Sequence, residues 1–274
     1  MRYGLLVLLL AVAALAAPYA WVGKSDARNT LEVRFPVPAG FVRTAVPAGS
    51  FAKWLRGLPL KGGNPPIVCY NGRLKEYQAD HAAIVNIDVG TQDLQQCADT
   101  VIRLHAEYLF GTGRARQARY SFGNGFVVDF AHWADGYRPR TRGKHTAWVK
   151  CTPPDASHAN FRAYLNAVFA YASTRSLPRD LEHVAPTDIR PGDVLLRPGD
   201  PGHAMLVADM AIHPCTHVHQ VLMIQGYMPA QNAHVLRDPD DTEQHAWFPY
   251  DPTRDFVTLE YTFKASEVWR FKVQ

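Results

Sequence analysis

Cys97 stands just before an amphipathic stretch, Thr100 to Phe110, whose apolar spacing predicts a helix. A thiol at a helix N-terminus meets free backbone N–H groups and the positive end of the helix dipole, and both favour the thiolate. Far downstream, Gly192-Asp193-Val194 is followed by Gly202-His203-Ala204, which opens an apolar run predicted to be a strand. A histidine within hydrogen-bond reach would take the thiol proton. The pair points to a cysteine nucleophile served by an imidazole base. Gly202, with no Cβ, would leave room for a close approach beside the ring.

The elements that must position these residues follow from periodicity and caps. Asp93 reads as the N-cap of a helix running from Leu94 to Phe110, with Leu94, Cys97, Val101, Leu104 and Tyr108 on one face. Asp99, Arg103 and Glu107 recur at four-residue steps, the spacing of an ion-pair ladder. Ser50 caps a short helix ending at Gly57, and a longer helix is expected from Ser157 to Tyr171. Ile67 to Tyr70, followed by Asn71-Gly72, is a strand and turn, and 82–90 is another strand. Later strands are expected at 194–196, 204–208 and 221–224. Helices first and strands clustered later imply an α+β fold, with an antiparallel sheet packed on the Cys97 helix. Residues 21–49, rich in Pro, Gly and Ala, read as an extended lead-in to a single elaborated domain at 50–274.

The N-terminus carries Arg2, then an apolar run from Leu5 to Ala17 ending in small residues. That run is shorter than the ~20 residues needed to span a bilayer, so residues 1–20 are expected to be a cleaved export signal, with an uncleaved N-terminal anchor as the alternative. A periplasmic or secreted protein with no stable membrane span after signal removal follows. The formal charge of +4 is modest. The basic cluster Arg138, Arg140, Arg142 and Lys144 lacks the aromatic interleaving of a nucleic-acid site, so no nucleic acid is expected. A solvated loop or a contact for an anionic glycan or carboxylate accounts for it. Cys69, Cys97, Cys151 and Cys215 show no C-x-x-C spacing, which argues against structural zinc. In an oxidising compartment they permit disulfides, and one at Cys97 would remove the nucleophile.

The order of a cysteine at a helix start, Gly-Asp-Val, Gly-His-Ala opening a strand, and a polar residue closing the next strand resembles the NlpC-type and CHAP-type cell-wall peptidases. The resemblance implies a papain-like core in which Cys97 is the nucleophile, His203 the base and Gln225 the residue that orients the ring. Asp209 is the competing orienter, although on a straight strand it would lie about 20 Å from His203. Gln95 or Gln96 would supply an oxyanion donor together with the Cys97 backbone N–H. More broadly, Asp93-Leu94-Gln95-Gln96-Cys97-Ala98-Asp99, Phe161-Arg162-Ala163-Tyr164-Leu165, Pro201-Gly202-His203-Ala204 and Tyr227-Met228-Pro229-Ala230-Gln231 are similar to the bacterial family known as domain of unknown function 4846. That similarity brings no activity with it.

Other residues compete for attention. His213, Cys215, His217 and His219 invite a metal, but no second ligand pair at zinc-like spacing accompanies them, so no metal and no cofactor are expected. Trp133, Tyr137, Trp148 and Tyr227 would suit sugar stacking, although core packing is the commoner fate of such rings. His81 is a further candidate for the cleft or a structural histidine, Asp193 a turn cap, and Gln231 a partner for buried backbone. The expected function is an exported cysteine hydrolase of peptide or amide bonds acting on cell-wall peptides, with peptidoglycan or another envelope peptide or glycan as partner. The alternative is an inactive envelope protein that binds glycan or peptide in the same cleft.

Overall fold

The computed structural model describes residues 17–23, 26–240 and 246–272. The expected export signal lies almost wholly outside the described residues. Among those described, no helix is long and apolar enough to cross a membrane.

The fold is α+β, built on a nine-stranded sheet. Its main path runs His81–Ile84, His234–Leu236, His219–Gln225, His203–Ile212, Val194–Arg197, Val268–Phe271, Leu181–His183, each neighbour antiparallel to the next. Val42–Arg43 and Trp247–Tyr250 pair with the central two strands. The His203 strand is buried from His203 through Ala211, because both faces of the sheet are covered there. Its sequence is therefore a continuous apolar run rather than an alternation. Ala204, Leu206 and Ala208 join Ala98, Val101 and Ile102 of the Cys97 helix in one core. Met205 and Val207 join Leu195, Val221, Met223 and Phe263 in a second core on the opposite face.

Register decides where the polar side chains on this strand point. Leu222 faces Asp209 but Met223 faces Val207, so Ala208 is the extra residue of a bulge. The bulge puts Asp209 on the helix side of the sheet, at the end of the strand remote from His203. There it is fully buried and paired with Arg43 and Arg56, the latter at 2.8 Å.

Two helices begin where their caps predict. Ser50 Oγ accepts from Lys53 N–H at 3.2 Å ahead of Phe51–Arg56, and Ser157 Oγ from Asn160 N–H at 3.3 Å ahead of His158–Phe169. The third helix spans Cys97–Gly111 and starts later than expected. Asp93 is not its cap. The Asp93 carboxylate accepts from Ala230 N–H at 2.7 Å and from Gln96 Nε2 at 3.1 Å, tying the 227–231 loop to the helix start. Gln96 is the cap, its N–H donating to Asp99 Oδ2 at 3.2 Å, so Cys97 is the first helical residue.

The expected ladder is also redrawn. Arg103 pairs with Glu107 at 2.8 Å and with Asp88 at 2.9 Å, both through its buried guanidinium, and Asp99 has no part in it. The lead-in packs against the rest of the chain, since Leu31 is fully buried and Arg43 reaches Asp209. The basic segment is an antiparallel hairpin, Tyr137–Arg142 against His145–Lys150, rather than a loop.

Candidate active site

A cavity of about 440 Å³ opens where the Cys97 helix meets the ends of the two central strands, and both Cys97 and His203 line it. The helix lies on one sheet face, whereas His203 packs on Phe263 of the other, so the cavity wraps the strand end between them. Two glycines permit this closeness. A Cβ on Gly226 would sit 2.2 Å from Thr100 Oγ1, and one on Gly202 would sit 2.4 Å from Thr174 Oγ1. Only glycine lets the chain after Gln225 lie against the first helical turn.

All four cysteines are free thiols, Cys69 and Cys97 buried, Cys151 and Cys215 exposed, so Cys97 is not locked in a disulfide. The helix N-terminus does not, however, win control of the thiol. Burial pushes Cys97 up to about 11 and the nearby Asp99 carboxyl adds to the effect, while the backbone N–H groups of Ala98 and Ala204 only partly oppose it. The physical reason is scale, because a helix terminus supplies ~1 kcal/mol and each pKa unit is worth about 1.4 kcal/mol. Alkylation of Cys97 by iodoacetamide is therefore expected to be slow at pH 7 and to rise steadily up to pH 11. A plateau below pH 8 would show an activated thiolate instead.

His203 is held by one hydrogen bond and by ring packing. Its Nε2 is 2.8 Å from Gln225 Oε1, and its ring lies between Tyr227 and Tyr261, with centroids at 4.9 and 5.0 Å. The neighbours of Gln225 fix which end of its amide faces the ring. Gln225 Nε2 donates to Glu260 Oε2 at 2.8 Å and lies 3.2 Å from His234 Nε2. His234 uses Nδ1–H for the Asn232 carbonyl at 2.9 Å, which leaves its Nε2 an acceptor. Gln225 Oε1 must then accept from His203 Nε2–H, and the lone pair of His203 is on Nδ1. Burial pushes His203 down to about 4, so the ring is neutral at pH 7.

Behind Gln225 lies a compact charge cluster. Lys75 Nζ sits 2.5 Å from Asp80 Oδ2 and 2.7 Å from Glu260 Oε1. Asp80, His234 and Glu260 offer ligand atoms within 4.8 Å of one another, the metal-type grouping found among the described residues. The Lys75 ammonium already supplies a cation between the two carboxylates. His213 accepts from the Cys215 and Thr216 backbone N–H groups, which closes the 213–217 turn.

The remaining sequence-predicted residues divide by place. Gln96 lines the cavity, its amide nitrogen on Asp93. Gln95 does not: its side chain accepts from Arg103 at 2.9 Å and donates to the Asp88 carbonyl at 3.3 Å, pulled away by the buried guanidinium. Asp209 is likewise drawn off by Arg43 and Arg56. His81 turns its ring nitrogens to the Gln78 and Pro65 carbonyls at 2.8 and 3.0 Å, a structural role. Asp193 closes its turn on Arg190 N–H at 2.9 Å and pairs with Arg270 at 2.6 Å. Gln231 is fully buried, but neither end of its amide has a partner, so it does not satisfy buried backbone. Of the four rings considered for sugar stacking, only Tyr227 lines the cavity; Trp133 is buried under Arg138, and Trp148 stacks on His132.

Lys75, Asp80, His234 and Glu260 were not legible as site residues, since nothing in their spacing relates them to His203. Comparison with curated proteins and with solved structures returns no match. The family models do return one, covering the Cys97 helix, the lead-in from Leu31 and nearly the whole sheet. The chain belongs to the family described as domain of unknown function (4846), whose model matches residues 31–270.

Proposed function

We propose that this protein is an exported cysteine hydrolase with a papain-like arrangement of catalytic groups, cleaving peptide or amide bonds in cell-wall peptides. The observation that carries this reading is the His203 Nε2–Gln225 Oε1 bond, which leaves Nδ1 as the basic nitrogen beside a cavity that Cys97 also lines. Cys97 Sγ attacks the substrate carbonyl carbon while its proton passes to His203 Nδ1, directly or through one water. The carbonyl oxygen gains the negative charge at the helix start, where the Cys97 backbone N–H has no intrahelical acceptor. Collapse of the tetrahedral intermediate expels the amine, which takes the proton from His203 and leaves a thioester. Water, deprotonated by His203, then releases the acid and restores the thiol.

A second reading is favoured by the proton balance. With Cys97 at about 11 and His203 at about 4, transfer between them in the free protein is uphill by on the order of 10 kcal/mol. That suits a silent cleft that binds envelope peptide or glycan. Catalysis requires bound substrate to stabilise the imidazolium and the oxyanion together. Incubating the purified protein with murein sacculi and following newly exposed amines by mass spectrometry separates the two. Wild-type release of peptides supports the hydrolase. Binding to sacculi without release supports the silent cleft.

A further inference from the structure

We infer that Glu260 is a positioning residue for His203, acting through Gln225; this rests on the reading of His203 as the base. A glutamine amide has two orientations of nearly equal shape, so its neighbours decide which one is populated. With Oε1 toward the ring, His203 carries its proton on Nε2 and keeps the lone pair on Nδ1. With the amide reversed, Nε2 of His203 becomes the acceptor and Nδ1 carries the proton, so the two ring nitrogens exchange roles.

Glu260 and His234 are the two acceptors that demand the amide nitrogen, at 2.8 and 3.2 Å. Glu260 is the stronger, because a carboxylate accepts and does not donate. Its other oxygen is held by Lys75 at 2.7 Å, and Lys75 in turn by Asp80 at 2.5 Å. The turn that carries Glu260 also shields the ring. Glu260 sits in the turn between Phe256–Val257 and Thr262–Phe263, and its neighbour Tyr261 packs on His203. One short turn therefore closes one side of the imidazole and fixes its tautomer.

The charged and titratable groups facing Glu260 are Lys75, Asp80, His234 and Tyr227. Burial and the bonded Asp80 carboxyl raise Glu260 to about 6, against the opposing pull of Lys75. Below that pH the protonated acid no longer has to accept from Gln225.

The test is the tautomer of His203, read by nitrogen-15 NMR of the imidazole in the full-length mature protein. Wild type at pH 7.5 is expected to show one tautomer, protonated on Nε2. Glu260→Gln, which can donate as well as accept, is expected to convert at least about a fifth of the molecules to the Nδ1–H form. Unchanged tautomer in both Glu260→Gln and Glu260→Ala overturns the inference. A titration of wild type from pH 8 to 5 needs no variant: a change in the Nε2–H signal centred near pH 6 supports the role, and its absence counts against it. The readout is independent of turnover. Loss of the hydrolase reading would appear as wild type inert on sacculi, whatever the tautomer.

Discussion

Replacing Cys97 with alanine is expected to lower release of peptides from murein sacculi by about a millionfold, the scale seen when a triad loses its nucleophile. In the proposed mechanism only Cys97 forms the thioester, so the loss falls on kcat and not on binding of sacculi. Cys97 is 7% exposed and sits at the first helical position. Alanine there removes one sulfur from the cavity wall, and the fold should lose no more than about 1 kcal/mol. Retention of more than a hundredth of wild-type activity in the variant would place the nucleophile elsewhere. Sacculus binding retained without release would tie the loss to chemistry rather than to a collapsed cleft.

The second large effect is on stability. Asp209→Ala is expected to lower the free energy of unfolding by about 3–5 kcal/mol, measured by urea denaturation. Asp209 is fully buried, and its carboxylate is the shared counter-ion of Arg43 and Arg56, whose side chains are 15% and 7% exposed. Without it two guanidinium groups are left in the core with too few acceptors. Arg56 retains the Thr44 carbonyl at 2.7 Å, and Arg43 the Glu32 carbonyl at 3.0 Å. On the proposed function, hydrolysis per folded molecule should be unchanged, since Asp209 lies near the opposite end of the strand from His203. Loss of hydrolysis without loss of stability would restore Asp209 as a partner of the site.

The pair of variants separates what was readable from what was not. The Cys97 helix, the His203 strand and the Gln225 strand were legible because each announces itself locally. Apolar spacing marks the helix, a continuous apolar run marks the central strand, and the residue closing the next strand falls immediately before Gly226-Tyr227. The pairing of His203 with Gln225 followed from family resemblance joined to that order. Errors arose where two polar partners competed for one side chain. Gln95 looked as available as Gln96 until Arg103 claimed it, and Asp93 looked like the cap until Ala230 claimed it.

By itself, the sequence determined the α+β class, the helix that presents the thiol and the strand that presents the imidazole, because periodicity and capping act over a few residues. The tertiary structure alone decided the state of that thiol, since burial depends on what the rest of the chain packs around it. It alone showed the amide orientation of Gln225, which depends on Glu260, 35 residues away, and on His234 in the next strand. It alone showed what holds Asp209 at the far end of the strand, a single-residue bulge and arginines more than 150 positions away. Local pattern set which residues face the site, and long-range contacts set what those residues can do there.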